Sequence, residues 1–371
     1  MGLWSQTSPV SILDFLGASF DRIRPMPDIE KLVAAFEDPA VLELMVNPDG
    51  SVYAESAGKG VERLLVALTQ QDIAAFLNGV IGSNEAFGQD RPYADLSALD
   101  GSRVHVIAPP IARGLTVTIR KRPAQRPTLD ELIGAETLSQ GCADFLTYLV
   151  GQKLNILVAG GTSSGKTTLL AALAACAGKD ERIVVLEDTP ELTLPQNHTL
   201  YLRTRLRDAS GRPDITLRDL VVNTLRMRPD RIVVGETRGP EAADMLQAMN
   251  VGSDGMLTTL HANSAREALT RLETLVLQAG IDMPLKAVRS NIVTAVDFIV
   301  FLARLGDGTR KVMQVAEITG MEIDTISLSD LFTLDVRKGG SILRASGAVP
   351  RFYDRLRKQG IEPPMDFFRT N

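Results

Sequence analysis

The chain has 371 residues, a formal net charge of −5, and 44% hydrophobic and 23% charged residues. This length favours about two domains, and the composition is that of a globular protein with enough apolar residues for a large core. The pI near 5.4 argues against nucleic acid as the main ligand.

The N-terminal sequence lacks both the basic start and the sustained apolar run of a signal peptide. No run of about 18 apolar residues, the length that spans a membrane, occurs elsewhere. Cys142 and Cys176 lie in apolar, helix-like surroundings and are expected to be buried free thiols in a reducing compartment. We therefore expect a cytoplasmic protein that works at the inner membrane only through partners.

The first third of the chain predicts a short lead-in and a small α+β domain. Residues 1–27 form the lead-in, with an amphipathic helix at Ile12–Phe20, and residues 28–121 form the domain. Its predicted elements are a hairpin of Leu44–Asn47 and Val52–Glu55, a helix capped by Thr69 that ends near Ile81, and strands at Tyr93–Leu99, Arg103–Ala108 and Leu115–Arg120, with turns at Pro48–Gly50 and Asp100–Gly101.

Residues 122–136 contain two prolines and a glycine among polar residues and are predicted to be the domain linker. Residues 137–371 then alternate short apolar runs with helical spacing. This alternation predicts an α/β domain with a mostly parallel sheet and helices on both faces. The runs are Ile156–Ala159, Ile183–Leu186, Ile232–Val234, Met256–Leu260 and Phe298–Ala303.

The most specific motif lies where the strand ending at Ala159 meets a helix-forming run. It fits the pattern G-x-x-x-x-G-K-[ST] and, with one further threonine, comprises Gly160, Gly161, Thr162, Ser163, Ser164, Gly165, Lys166, Thr167 and Thr168. Glycines let backbone N–H groups curl around a phosphate, and the following helix directs the positive end of its dipole at the same anion. Lys166 is expected to reach the β- and γ-phosphates of ATP, and Thr167 to place its hydroxyl on Mg²⁺.

Acidic and histidine side chains follow three other strand-like runs. Glu236 ends the run from Arg231, which places it at the ligand edge of the sheet to act on Mg²⁺ or its water. Glu191 closes the acidic segment EDTPE and is a candidate to orient or deprotonate the attacking water. His261 ends a third run, where it can sense the γ-phosphate or couple to Glu236. The alternatives are solvated turn carboxylates and a structural histidine.

Four segments together resemble the type II/type IV secretion ATPase superfamily: GGTSSGKTT, EDTPEL, RMRPDRIVVGETRG and GSDGMLTTLHANSAREALTRLE. They match its phosphate loop, Asp box, Walker B strand and His box, in the family's order. The resemblance implies a C-terminal RecA-like P-loop ATPase domain, a smaller N-terminal α+β domain of PAS-like build, and ATP with Mg²⁺ as ligands. It also implies a homo-hexameric ring that works on an inner-membrane platform protein.

By the same resemblance, Glu191 matches the catalytic glutamate of the Asp box, Glu236 the Walker B glutamate and His261 the His-box histidine. Arg120 matches an N-domain arginine that reaches the nucleotide, and Arg205 an arginine near the γ-phosphate. The planar fork of arginine suits phosphate, although a surface ion pair is the simpler interpretation of either residue. One position departs from the family, because Ser163 stands where these motors usually have glycine.

Within the superfamily, the segments DGSRVHVIAPP, LTVTIRK and ISLSDLF resemble the Tad/Flp pilus assembly ATPase of the CpaF type. The segment LMVNPDG also resembles conjugative-transfer ATPases, so a conjugation or type IV secretion ATPase is the first alternative. Two further alternatives are a RecA-like nucleic-acid motor and a scaffold that binds ATP without turnover. The acidic pI opposes the first of these two, and the trio of Glu191, Glu236 and His261 opposes the second.

Overall fold

The structure is a computed structural model that describes residues 27–56, 59–81, 92–121, 127–205, 213–337 and 340–368. The chain divides into two compact units, of which the first comprises Met1–Gln125 and Arg207–Arg212 and the second comprises Arg126–Leu206 and Pro213–Asn371. The predicted helix at Ile12–Phe20 lies outside the described residues.

The first unit is a six-stranded antiparallel sheet packed against two helices. Its elements are α1 (Pro27–Glu37), β1 (Val41–Val46), β2 (Val52–Ser56), β3 (Gly60–Leu64), α2 (Gln70–Ile81), β4 (Tyr93–Ser97), β5 (Arg103–Ile107) and β6 (Thr116–Arg120). The strand order is β3-β2-β1-β6-β5-β4. Side chains alternate along the strands, so that Val104 and Val106 are fully buried in one core with Phe36 and Phe76.

Both hairpins predicted in this unit are confirmed, and so is the helix capped by Thr69, whose hydroxyl accepts the N–H of Asp72 at 3.3 Å. Strand β3 and helix α1 were not predicted. The strand β3 lies at the sheet edge with almost every residue exposed, so its sequence carries no alternation of apolar and polar residues.

The second unit is a nine-stranded sheet in the order β15-β14-β13-β12-β7-β11-β10-β8-β9. The six strands from β12 to β9 in that order are parallel, and the other three extend one edge in antiparallel fashion. The strands are β7 (Ile156–Gly160), β8 (Ile183–Glu187), β9 (Thr199–Arg203), β10 (Arg231–Val234), β11 (Leu257–His261), β12 (Phe298–Arg304), β13 (Arg310–Glu322), β14 (Thr325–Arg337) and β15 (Gly340–Ala345).

Helices cover both faces of this sheet. They are α3 (Leu129–Gly134), α4 (Gln140–Gly151), α5 (Lys166–Ala175), α6 (Leu217–Thr224), α7 (Glu241–Asn250), α8 (Ala265–Gln278), α9 (Leu285–Ala295) and α10 (Phe352–Lys358), followed by the short 3₁₀ helix Asp366–Phe368. Ile156 and Val158 pack into the core on one face, and Leu157 and Ala159 into the core on the other. Burial on both faces explains the continuous apolar runs, and the predicted sheet is confirmed.

Part of the predicted linker is folded. Residues 129–134 form α3, which begins at a capping box in which the Glu131 carboxylate accepts the N–H of Thr128 at 2.7 Å, and Leu132 is buried in the second unit. Residues 122–126 lie outside the described part of the chain. Cys142 and Cys176 are both free thiols, but only Cys142 is buried, which corrects the expectation for Cys176.

Among the described helices, none combines the length and the apolar character that a membrane crossing requires.

Candidate nucleotide-binding site

The phosphate loop connects β7 to α5. Gly165 caps α5 with a φ of +97°, and Ser163 adopts a φ of +58°. A Cβ at Gly160 would lie 2.6 Å from the carbonyl oxygen of Leu302, so this position admits only glycine. The buried Ser164 hydroxyl donates to the carbonyl of Gly161 at 2.9 Å and closes the loop on itself.

Lys166 is buried at the first turn of α5. Its Nζ donates to the carbonyl of Gly161 at 2.8 Å and lies 3.4 Å from Nδ1 of His261. Burial lowers the pKa of Lys166, and the charge of Glu236 opposes this effect. The ammonium therefore lies beside the loop whose N–H groups would surround a phosphate.

Glu236 lies just beyond β10, between a cation and the imidazole. Its Oε2 accepts a hydrogen bond from the guanidinium of Arg238, while Nε2 of His261 lies 2.8 Å from its Oε1. That contact lacks hydrogen-bond alignment, and among the described residues the buried Oε1 has no hydrogen-bond donor. The N–H of Arg238 donates to Glu241 at 2.6 Å, which fixes the start of α7 next to Glu236.

His261 is the last residue of β11. Burial lowers its pKa more than the neighbouring Glu236 raises it, and Lys166 lowers it further, so the ring is neutral at pH 7. An ammonium can only donate, so Nδ1 accepts from Lys166 and the ring proton of the neutral imidazole resides on Nε2, although Nε2 is not aligned for a hydrogen bond to Glu236. One line of contacts thus joins Lys166, His261, Glu236 and Arg238.

The acidic segment begins at the end of β8. The Glu187 carboxylate accepts the N–H groups of Glu191 and Leu192, each at 2.9 Å, and so fixes the backbone that carries Glu191. A Cβ at Gly235 would lie 3.1 Å from Cγ of Glu187, so glycine before Glu236 makes room for this buried carboxylate.

Asp188 and Glu191 also raise the pKa of Arg238, after the larger effect of its hydrogen bond to Glu236. The charge of Arg238 is therefore close enough to feel both Glu236 and the acidic segment. Its charge balances carboxylates that come from two different strands.

The two predicted arginines belong to different units of the chain. Arg120 ends β6 in the first unit, is exposed, and lies opposite Glu43 and Arg103 on the neighbouring strands. Arg205 is exposed and donates to the carbonyl of Pro213 at 3.0 Å. The roles predicted for the two arginines at the nucleotide stay predictions.

Contributors to the site that were not predicted as site residues include Glu187, Arg238 and Arg310. Arg310 begins β13, and its Nε donates to the carbonyl of Ser163 at 3.0 Å. Glu187 and Arg238 are near predicted residues in the sequence, and that proximity is a weak signal. Arg310 is 147 residues from Ser163, and no local pattern marks it.

The residues present fit a nucleotide and a divalent cation. A glycine-rich loop opens at a helix N-terminus, a buried lysine lies beside it, and the Oε1 atom of Glu236 is buried without a hydrogen-bond donor. No group of three or more His, Cys, Asp and Glu side chains in the described ranges is arranged to hold a metal ion. Mg²⁺ commonly takes one or two protein ligands together with substrate phosphates and water, which this donor set allows.

Comparisons with known proteins agree on one family. The family model described as "Type II/IV secretion system protein" matches residues 96–328. The conjugal transfer protein TrbB of Rhizobium radiobacter is 34% identical over 296 residues, covering 78% of this chain and 88% of that protein. The type IV secretion system protein VirB11 of Brucella suis biovar 1 is 30% identical over 317 residues, covering 76% and 86%.

The X-ray structure of the Legionella pneumophila ATPase DotB shares the fold, with a TM-score of 0.57 at 19% identity over 78% of this chain and 80% of that chain. The two units thus correspond to a smaller N-terminal α+β domain and a C-terminal P-loop ATPase domain. This protein belongs to the type II/IV secretion system protein family.

Proposed function

We propose that this protein is a motor ATPase that hydrolyses ATP with Mg²⁺ to power an envelope-spanning secretion or pilus machine. One observation carries the proposal: Lys166 of the phosphate loop, His261 and Glu236 come from three elements and meet in consecutive contacts of 3.4 and 2.8 Å. A surface turn would not need a buried lysine next to a carboxylate that has one buried oxygen without a hydrogen-bond donor.

In the proposed reaction, the loop N–H groups and Lys166 bind the β- and γ-phosphates and orient the terminal phosphorus. Glu191, on the backbone that Glu187 fixes, accepts the proton of the attacking water. His261 couples Lys166 to Glu236, so that a change at the phosphate reaches the loop that precedes α7. Mg²⁺, when bound with ATP, neutralises charge on the phosphate oxygens, and Thr167 and Glu236 would hold it.

The machine that best fits the relatives is a conjugal transfer or type IV secretion system. The alignment with TrbB covers most of both chains, which supports a shared role for the whole protein and not for the ATPase unit alone. By the same similarity, we propose a homo-hexamer that acts on an inner-membrane platform protein. Head-to-tail contacts that close would produce such a ring.

Tad/Flp pilus assembly is the second candidate, favoured by the segments DGSRVHVIAPP, LTVTIRK and ISLSDLF. A gene deletion in the source organism separates the two. Loss of plasmid transfer with normal surface pili supports the conjugal role, and loss of pili with normal transfer supports the pilus role.

Phosphate release by the purified protein tests the ATPase proposal. Turnover should require Mg²⁺, disappear in Lys166→Ala and fall strongly in Glu191→Ala. Lys286→Ala, a change at an exposed lysine 69% open to solvent, is the charge-matched control and should retain turnover. Nucleotide binding without turnover in the wild type would leave the scaffold alternative, and stimulation by single-stranded DNA would favour the nucleic-acid motor.

A further inference from the structure

Arg310 contacts the phosphate loop from a separate hairpin. Its Nε donates to the carbonyl of Ser163 at 3.0 Å, and its Cδ lies 3.3 Å from the position that a Cβ on Gly165 would occupy. The side chain therefore touches the loop at two residues, both of which have a left-handed backbone.

These two residues do not tolerate that backbone equally. Gly165 adopts a φ of +97° without steric cost, whereas the φ of +58° at Ser163 brings a Cβ close to its own carbonyl oxygen. Contacts from outside the loop can offset the steric cost of serine in this conformation. The left-handed conformation determines the direction in which the Ser163 carbonyl oxygen points. A hydrogen bond to that oxygen therefore favours this conformation.

The hairpin holds Arg310 in place. The turn between β12 and β13 closes with a bond of 2.8 Å from the N–H of Leu305 to the carbonyl of Thr309. The buried Lys311, next to Arg310, donates to the carbonyl of Glu136 at 2.7 Å. Arg310 therefore extends from a backbone that is tied to the core of the second unit.

We propose that Arg310 is a positioning residue for nucleotide binding, which holds the phosphate loop in its phosphate-binding conformation and compensates for serine at position 163. The inference rests on the proposed ATPase function. It makes Arg310 and Ser163 a coupled pair, because the hydrogen bond matters most when the loop residue resists the left-handed backbone.

A double-mutant cycle tests this coupling by equilibrium fluorescence titration with ADP that carries an N-methylanthraniloyl group, so that no turnover is needed. Arg310→Ala should raise the Kd about 3- to 10-fold, the range of one lost hydrogen bond. In a Ser163→Gly background the same change should raise the Kd less than about 2-fold, because glycine adopts the left-handed backbone without help.

Two further variants separate the explanations. Arg304→Ala removes an arginine directly opposite Arg310 in the same hairpin and should leave the Kd unchanged. Arg310→Lys keeps the charge but not the Nε donor, and should lose affinity as Arg310→Ala does. Each variant should melt at a temperature close to that of the wild type, which would show that the fold is retained.

An equal loss in both backgrounds, or full affinity in Arg310→Lys, would overturn the inference, because Arg310 would then act through its charge alone. Wild-type affinity in Arg310→Ala would also overturn it while leaving the ATPase proposal intact. If the wild type bound no nucleotide, the ATPase proposal itself would fail.

Discussion

Charged side chains are buried where the parallel strands begin and where they end, but Arg231 at the first position has all its donor nitrogens hydrogen-bonded, whereas Glu236 at the second has one oxygen without a donor among the described residues. We call the end of the sheet at which the parallel strands begin the amino edge, and the end at which they finish the carboxyl edge. At the amino edge, the fully buried Arg231 donates to both oxygens of Glu181 at 2.9 and 3.3 Å and to the carbonyls of Gly255 and Val150 at 2.7 and 2.9 Å. At the carboxyl edge, Oε1 of Glu236 is buried without an aligned donor among the described residues.

This difference separates a structural network from a candidate site. A network in which every donor and acceptor is hydrogen-bonded offers no free group to a ligand, so it serves only to stabilise the fold. A buried carboxylate oxygen without a donor costs free energy in the absence of a ligand, and a cation or a water can relieve that cost. The same strand, β10, carries Arg231 at one end and leads to Glu236 at the other.

Removal of Arg231 at the amino edge should have the largest effect on the free energy of unfolding. Arg231→Ala should lower the free energy of unfolding by about 3–5 kcal/mol, because it leaves the partly buried Glu181 carboxylate without its partner. Urea denaturation followed by circular dichroism measures this. Arg357→Ala, which removes an exposed arginine paired with Asp354, should cost about 0–1 kcal/mol. Equal midpoints for the two variants would contradict the structural role of Arg231.

Glu236→Gln should produce the opposite pattern at the carboxyl edge. Turnover of ATP should fall by about 10²- to 10³-fold, since the neutral amide would hold Mg²⁺ less well than the carboxylate does. Stability should stay close to that of the wild type. The matched control Glu322→Gln, at an exposed hairpin residue, should alter neither quantity. A variant at Glu236 that unfolded as easily as Arg231→Ala would remove the distinction between the edges.

The pH dependence of turnover tests the carboxyl edge with a smaller expected effect. Because the pKa of His261 is lowered, mainly by burial, turnover should fall only below the ordinary histidine range, as protonation places a cation beside Lys166. The lowered pKa of Lys166 predicts a second decline at high pH, before the ordinary lysine range. His261→Gln should abolish the acidic limb of the kcat profile and leave the alkaline one.

The lowered pKa of His261 also predicts how the free energy of unfolding changes with pH. Below the ordinary histidine pKa the unfolded chain binds the His261 proton first, so the contribution of this residue to stability is lost as the pH falls towards its folded pKa. A stability profile that was flat in this window for both the wild type and His261→Gln would contradict the lowered pKa.

Much of the second unit could be predicted because its signals are local. Each central strand buries both faces and therefore reads as a continuous apolar run, as Ile156–Ala159 does. Strand β3 and helix α3 could not be predicted as easily, since an exposed edge strand and a six-residue helix within a proline-containing stretch show no clear periodicity.

Local patterns were enough to predict the phosphate loop and the ends of the strands that lead to Glu236 and His261, because glycine spacing and apolar runs act over a few residues. Which side chains meet depends on the packing of segments that are distant in the chain. Arg231 begins β10 and Glu236 lies just beyond it, yet the partners of Arg231 come from three other segments, and His261 reaches Glu236 from β11. The contact between Arg310 and Ser163 spans 147 positions, and such pairings depend on the packing of the whole unit.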